Sequence, residues 1–230
     1  PREFTGNSDG EDFVWNKFKE YLEAGYVSIH NIEVDGKEID VILCCPDRGI
    51  LVIEIKGIYA RNVVKVEDIS KIIMKDKVIP SPTKQANGYR YDVINRLKER
   101  RIDSVYVIPT VCFPFINRRE LEETGLSDMC QPVKTFTSED FESKESLEHK
   151  VEEIFNWAYK RIRVKSLKKN KFNGKVFKNS IKSICKNIEL PADINQRQEK
   201  EQELKKVNTQ IKEGVLEIDK VNYSRLICTE

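Results

Sequence analysis

The chain has 230 residues, of which 39% are hydrophobic and 34% charged, and its formal net charge is +2. This length allows one well-buried core with an appendage, or two small domains. The longest apolar-rich stretch, residues 41–56, is interrupted by Pro46, Asp47, Arg48 and Glu54, and the first residues are polar and glycine-rich. These features argue against a membrane span and a secretory signal, so we expect a cytoplasmic protein with no membrane partner.

The chain begins without an initiator methionine, and residues 1–9 are predicted to be a tag or a disordered terminus. Apolar side chains then recur at helical spacing from residue 10 to residue 24. One of residues 7–9 can cap this helix, and Gly25 can end it. The pattern therefore predicts a helix at the start of the folded part.

Three strand candidates follow, at residues 26–34, 38–45 and 49–57, and all three are rich in valine and isoleucine. The segments between them, Asp35-Gly36 and residues 46–49, consist of turn-forming residues. The pattern predicts a three-stranded antiparallel meander.

Residues 63–78 are predicted to be an excursion of one or two strands, and residues 83–101 an amphipathic helix. Residues 104–113 are another candidate for a buried strand. Pro109 lies within it and indicates either a bulge or an edge position.

The longest amphipathic helix is predicted at residues 143–165, after short helical pieces at residues 117–124 and 138–141. The order helix, meander, helix, strand describes an α/β domain that is followed by C-terminal helices. The predicted units are residues 10–142 for this domain, 143–189 for a basic helical extension, and 190–230 for a linker and the start of a truncated downstream domain.

Charge is segregated along the chain, because residues 160–186 contain many lysines and arginines and no aspartate or glutamate. Such a run is either a solvated helix face or a surface that contacts a phosphate backbone, and charge alone does not separate these interpretations. The residues predicted to bind nucleic acid are Lys160, Arg161, Arg163, Lys165, Lys168, Lys169 and Lys171.

Six cysteines occur without a CxxC pair and with only two histidines, which argues against a zinc site. We expect buried free thiols in a reducing cytosol. Cys44 and Cys45 are neighbours in a predicted strand, so their side chains should point to opposite faces of the sheet.

Glu54 and Lys56 interrupt an apolar run, and in a strand they project from the same face. Burying both charges is costly unless something compensates. If the preceding turn is centred on Asp47, the hairpin places Asp40 opposite Glu54, and the two carboxylates repel unless a cation such as Mg²⁺ lies between them. A slip of one residue would separate the carboxylates, and a structural ion pair of Lys56 with either of them is the competing interpretation.

Asp40 followed by Glu54-Ile55-Lys56 resembles the D…(D/E)xK signature of restriction-endonuclease-like nucleases, which implies a core of that type. More specifically, residues 10 to about 140 resemble the nuclease-related domain (NERD). The blocks that carry this resemblance are Gly10-Glu11, Glu38-Ile39-Asp40, the strand at residues 49–57, Pro82, and Gln85-Ala86.

The resemblance implies that Asp40 and Glu54 ligate Mg²⁺ or Mn²⁺, helped by the carbonyl of Ile55. It further implies that Glu11, on the first helix, completes the first or second shell of the metal. A glutamate in the first turn of a helix also interacts favourably with the helix dipole, which is the alternative role for Glu11.

Gln85 and Tyr89 lie one helical turn apart in a QxxxY pattern, so they share one face of the predicted helix. The pattern resembles a motif in the nuclease modules of recombination helicases, and it implies that both residues position the phosphate or Lys56. Lys56 itself would orient or deprotonate the attacking water and stabilise charge in the transition state. A core-facing tyrosine with an incidental glutamine is the alternative.

Together these implications predict a Mg²⁺-dependent DNA endonuclease or nickase that hydrolyses phosphodiester bonds. Because NERD domains often precede helicase or kinase-like domains, we interpret the chain as the nuclease part of a longer nuclease–helicase of bacterial anti-phage defence. The competing hypothesis is a catalytically silent module that binds DNA or a partner chain. RNA as substrate and a homo-oligomeric assembly stay open.

Overall fold

The computed structural model describes residues 8–22, 25–67, 69–102, 105–161, 172, 174–185 and 225–228. The helices are α1 (Ser8–Tyr21), α2 (Pro82–Glu99), α3 (Arg118–Glu123), α4 (Leu126–Met129), α5 (Lys144–Tyr159) and α6 (Gly174–Ile184). The strands are β1 (Val27–Val34), β2 (Lys37–Cys45), β3 (Gly49–Ile55), β4 (Val63–Glu67), β5 (Lys71–Met74), β6 (Val78–Pro80), β7 (Val107–Cys112), β8 (Thr135–Phe136) and β9 (Arg225–Cys228). The fold is mixed α/β, as predicted. Within these ranges, none of the helices combines the length and apolarity needed to cross a membrane.

The main sheet has six strands in the order β8-β7-β3-β2-β1-β9. β1, β2 and β3 form the predicted antiparallel meander, and helix α2 lies between β3 and the parallel strand β7. The first turn is tight because Asp35 and Gly36 have positive φ angles of 51° and 78°, the conformation that two-residue hairpins favour. β9 comes from the stretch predicted to begin a downstream domain, and it pairs with β1.

Side chains of the sheet alternate between two hydrophobic cores, one on each face. Leu51 of β3 packs in the core formed with α1 and α5, whereas Val52 packs in the core formed with α2 and α6. Cys45 and Cys44 divide between the same two cores, which confirms that they point to opposite faces. The five cysteines whose side chains the structure describes are buried and free.

Residues 63–80 form a second, separate sheet of three antiparallel strands in the order β4-β5-β6, where the sequence predicted one or two strands. β6 was missed because it is only three residues long and ends in a proline. Ile72 and Met74 of β5 pack in a third core together with residues of α3 and α4. This small sheet leads directly into α2.

The predicted helices after this sheet are confirmed where the structure describes them. Ser81 caps α2 by accepting a hydrogen bond from the main chain of Lys84, and Pro82 follows in the first turn. The short helical pieces appear as α3 and as a 3-10 turn at Ser138–Phe141. α5 ends at Tyr159, and residues 162–165 of the predicted long helix, like the predicted linker helix at residues 190–213, lie outside the described residues.

The proline of β7 is accommodated without a bulge. β7 keeps an unbroken parallel register with β3, in which Pro109 lies beside Val52. On the other side β8 pairs only with Val111 and Cys112. Among the described strands, none pairs with Pro109 on that side, as the edge alternative requires.

Candidate functional site

The register of the β2–β3 hairpin places Asp40 and Glu54 at facing positions. The paired residues run from Cys45 with Gly49 to Val41 with Ile53, so the turn is centred on Asp47 as predicted. The next position outward brings Asp40 opposite Glu54. The main-chain N–H of Ile55 donates a hydrogen bond of 2.7 Å to Oδ2 of Asp40, which fixes this carboxylate against β3.

Glu54 and Lys56 form a buried ion pair, in which the lysine ammonium donates a hydrogen bond to Oε1 of Glu54. Their side chains are only 2% and 9% exposed, respectively. The second carboxylate oxygen, Oε2, is buried and makes no hydrogen bond of good geometry within the described part of the chain. Burying an unpaired carboxylate oxygen is costly, so this atom points to a missing partner.

Helix α2 covers this face of the sheet and brings Tyr89 to Glu54, with Gln85 next to Tyr89. The Oε1 atom of Gln85 is also buried without a hydrogen-bond partner among the described residues. The Tyr89 hydroxyl lies close enough to lower the pKa of Glu54, although it does not complete a well-formed hydrogen bond to Oε2. Burial and the charges of Glu54 and Asp40 in turn raise the pKa of Tyr89 to about 12. Tyr89 of the QxxxY pattern therefore lies beside the candidate carboxylates, and Gln85 lies next to Tyr89.

Glu11 reaches the same site from the first turn of α1. Gly10 makes this approach possible, because a Cβ atom at that position would lie 2.7 Å from the Cα of Gly57. Burial raises the pKa of Glu11 to about 7, and the charges of Asp40 and Glu38 add to the effect. Glu11 is therefore within electrostatic range of the carboxylates on β2.

Asp40 and Glu54 both have raised pKa values. Burial, followed by the charge of Glu54, raises the pKa of Asp40 to about 7, while the hydrogen bond from Ile55 and the charge of Lys56 oppose the shift. Burial also raises the pKa of Glu54, against the opposing effect of Lys56. The protein holds more carboxylate charge here than Lys56 neutralises, and a divalent cation would relieve the excess.

Two further polar residues lie at this site that the sequence did not mark as functional. Asn31 of β1 lies between the paired positions His30–Val41 and Ile32–Ile39, and hence opposite Asp40. Its side chain is close enough to lower the pKa of Glu11 by hydrogen bonding. Its φ angle of 50° is unusual for a strand residue. The positive φ angle next to charged groups is the signal that identifies Asn31. This angle is a property of the folded chain and cannot be read from the sequence.

Glu38 is the second such residue. Its charge raises the pKa values of Glu11, Asp40 and Tyr89. It lies two positions before Asp40, so the two side chains project from the same face of β2. In the sequence, Glu38 contributes only to the Glu38-Ile39-Asp40 block of the resemblance, which assigns it no role.

A fully formed cluster of metal ligands is absent from the described residues, in that no three His, Cys, Asp or Glu side chains are arranged to hold a metal ion. Glu11 therefore interacts with Asp40 and Glu54 through its charge and does not form a three-carboxylate cluster with them. The donors that fit a hard divalent ion are the carboxylates of Asp40 and Glu54, to which water and a main-chain carbonyl can be added.

The predicted nucleic-acid-binding residues are only partly covered by the structure. Lys160 and Arg161 lie at the exposed end of α5, where the guanidinium of Arg161 lies 4.2 Å from the ring centroid of Trp157. Lys134 approaches the same ring at 5.3 Å. The other predicted residues, which lie outside the described residues, are Arg163, Lys165, Lys168, Lys169 and Lys171.

Residues 6–114 match the sequence model of the nuclease-related domain family, NERD. The matched segment runs from α1 through β7 and contains Glu11, Asp40, Glu54, Lys56 and the QxxxY pair. No curated protein matches the chain, and no solved structure does.

Proposed function

We propose that this chain is a metal-dependent DNA endonuclease or nickase, whose site is built on Asp40, Glu54 and Lys56. The observation that carries the proposal is the buried Oε2 atom of Glu54, which has no hydrogen-bond partner within the described part of the chain. Glu54 lies opposite Asp40 in the register of the hairpin. Such an atom favours a further partner, either a water or an ion, and two carboxylates with raised pKa values favour a cation. The match of residues 6–114 to a nuclease-related domain supports phosphodiester hydrolysis as the reaction.

Asp40 and Glu54, with the carbonyl of Ile55, would hold Mg²⁺ or Mn²⁺, and the carboxylate of Glu11 would add negative charge next to the ion. A bound divalent ion supplies Lewis-acid stabilisation of the charge that develops on the phosphate. The hydrogen bond from Ile55 orients the Asp40 carboxylate before any ion binds, which reduces the reorganisation that binding requires.

Lys56 is the residue that acts on the attacking water. Its ammonium is held by Glu54 and both side chains are buried, so its positive charge would interact more strongly with a phosphate than it would in water. Tyr89 of α2 interacts with Glu54 and Gln85 interacts with Tyr89, and their role is to position the phosphate or Lys56.

The basic run that begins at Lys160 supports nucleic acid as the substrate class, and we propose DNA. Placement within a longer nuclease–helicase of anti-phage defence rests on the resemblance alone and is part of the same proposal. A full-length sequence without a nucleotide-binding loop after residue 230 would argue against it.

One observation favours a second candidate function, a catalytically silent DNA-binding module. The ion pair between Lys56 and Glu54 is already formed, as expected of two residues with a purely structural role. In this alternative the chain binds DNA equally well with a chelator and with metal.

The two functions are separated by incubating the chain with supercoiled plasmid in Mg²⁺, Mn²⁺ or EDTA. We compare the wild type with Glu54→Gln and Lys56→Ala, and use Asp92→Asn as a matched control, because Asp92 is a carboxylate on α2 that pairs with Lys37 at 2.9 Å. We expect metal-dependent nicking that falls by about 10²-fold or more in both site variants and is unchanged in Asp92→Asn. DNA binding without nicking in any sample would favour the silent module.

A further inference from the structure

An exposed aromatic residue lies just beyond Lys56. Tyr59 is 43% exposed, and its ring stacks on that of Phe115 with centroids 5.1 Å apart and planes at 11°. A tight turn precedes it, since the N–H of Ile58 donates to the carbonyl of Lys56 at 2.8 Å. Three residues span at most about 10 Å when extended, so the turn keeps Tyr59 closer to Lys56 than that.

Arg61 lies in the following 3-10 turn, and its side chain contacts the ring of Tyr59. Its guanidinium lies 4.7 Å from the ring centroid of Tyr59, and the residue is exposed. Within the described ranges Arg61 forms no ion pair with a carboxylate, so its charge is not neutralised there. A planar cation on an exposed aromatic ring can stack with a nucleic-acid base and attract its phosphate.

We refer to the stacked side chains of Tyr59 and Arg61 as the platform. A series of aromatic contacts connects the platform to the interior of the protein. Phe115 meets Phe13 of α1 edge to face at 5.6 Å, and Phe13 meets Phe141 in the same manner at 5.7 Å. α1 is also the helix that carries Glu11. The aromatic support and the candidate metal site therefore share one element, which fixes their relative position.

We propose that Tyr59 and Arg61 stack an unpaired base next to the phosphate that is cleaved, so that the preferred substrate is single-stranded or locally unpaired DNA. The proposal rests on the proposed nuclease function, whose substrate class it narrows. In a paired duplex each base is already stacked between its neighbours and its face is not accessible. A stacking platform beside the site therefore discriminates in favour of unpaired strands.

Tyr91 provides a matched control in the same chain. It is also an exposed tyrosine, 58% exposed, and the guanidinium of Arg90 lies 5.4 Å from its ring centroid. It lies on α2 two residues after Tyr89, and therefore on a different side of the helix from the QxxxY face. Loss of Tyr91 should leave DNA binding at the site unchanged.

The test measures binding of a short single strand that carries 2-aminopurine, whose fluorescence falls when the base stacks on an aromatic ring. The wild-type chain, in EDTA, is compared with Tyr59→Ala, Tyr59→Phe, Arg61→Gln and Tyr91→Ala, with a duplex of the same sequence alongside. We expect Tyr59→Ala to lose the quenching and to bind the single strand about tenfold more weakly. Quenching should be retained in Tyr59→Phe and Tyr91→Ala. It should be weakened in Arg61→Gln. Equal quenching in the wild type and Tyr59→Ala, or equal losses for single strand and duplex, would overturn the platform.

Because the fluorescence measurement is made in EDTA, its result does not depend on whether the chain cleaves DNA. Quenching that depends on Tyr59 in a chain that never cleaves DNA would contradict the nuclease and support the platform. Metal-dependent nicking with no preference for unpaired strands, and no effect of Tyr59→Ala on that preference, would support the nuclease and overturn the platform.

Discussion

The main-chain N–H of Ile55 donates a hydrogen bond of 2.7 Å to Oδ2 of Asp40, and this bond joins the two strands that carry the candidate metal ligands. The donor belongs to the backbone, so it persists when the neighbouring side chains are changed. An asparagine at position 40 can also accept this bond through its amide oxygen. Charge and geometry at Asp40 can therefore be tested separately.

Asp40→Asn is predicted to abolish binding of Mn²⁺ while preserving the fold, because it removes one of two facing carboxylates and keeps the hydrogen bond from Ile55. Titration calorimetry with Mn²⁺ measures the affinity, and circular dichroism checks the fold. Asp92→Asn serves as the control, since it removes a carboxylate of the Lys37 pair on α2. Retention of wild-type Mn²⁺ affinity in Asp40→Asn would show that the ion, if any, binds elsewhere.

The pH dependence of stability is predicted to differ between the wild type and Asp40→Asn in EDTA. Burial and the charge of Glu54 raise the pKa of Asp40 from 3.8 to about 7, so the folded state keeps a proton that the unfolded state has already released. The tighter proton binding of Asp40 in the folded state stabilises the fold fully below pH 4, and this stabilisation is lost as the pH rises to about 7.

The wild type should therefore lose about 1–3 kcal/mol relative to Asp40→Asn between pH 4 and pH 8, since solvent at this half-buried carboxyl reduces the effect below its full value. Urea unfolding at both pH values measures the difference. Mn²⁺ at pH 8 should restore stability to the wild type only. Parallel stability curves for the two proteins would contradict the raised pKa of Asp40.

The hairpin was predictable because its information is local. Side chains in a strand alternate with a period of two, and turn formers centred on Asp47 leave one register that buries both apolar faces. That register alone placed Asp40 opposite Glu54, and the pairing of Val41 with Ile53 confirms it. The fold class followed from the same patterns.

Other parts of the site depend on contacts that no local pattern encodes. Asn31 adopts a positive φ angle in a strand, and its side chain lies next to Glu11. The position of Glu11 depends in turn on the close contact between Gly10 and Gly57. The platform at Tyr59 requires Phe115, which comes from a distant part of the sequence. These relationships exist only once the tertiary structure is formed.

Asn31 is predicted to position Glu11, and two substitutions separate its side chain from its backbone. Asn31→Gly tolerates the φ angle of 50° and removes only the side chain, so we expect about 3–10-fold weaker Mn²⁺ binding, or about 1 kcal/mol, with little loss of stability. Asn31→Ala should show the same loss of affinity and also about 1 kcal/mol of destabilisation from backbone strain. Unchanged Mn²⁺ affinity in Asn31→Gly would remove Asn31 from the site.

The basic residues at the end of α5 are predicted to contact DNA phosphates. Lys160→Gln and Arg161→Gln should each weaken DNA binding and reduce the slope of log affinity against log salt by about one. Fluorescence anisotropy over a range of salt concentrations measures both quantities, with Mn²⁺ affinity as a control that should not change. A weaker affinity with an unchanged salt slope would indicate that Arg161 acts through its contact with Trp157 instead.

Gly10→Ala is predicted to damage the site by displacing the start of α1. The added Cβ atom would lie 2.7 Å from the Cα and 3.1 Å from the N of Gly57, and neither backbone atom can move aside without shifting the end of β3. We expect a loss of about 1–3 kcal/mol in stability, together with weaker Mn²⁺ binding because Glu11 moves with the helix. Gly88→Ala is the matched control, because a Cβ atom there meets nothing within 4 Å and should stabilise α2 by about 0.5–1 kcal/mol. Chemical denaturation measures the free energy of unfolding of both variants. A Gly10→Ala protein as stable as the wild type would show that α1 does not pack tightly against Gly57.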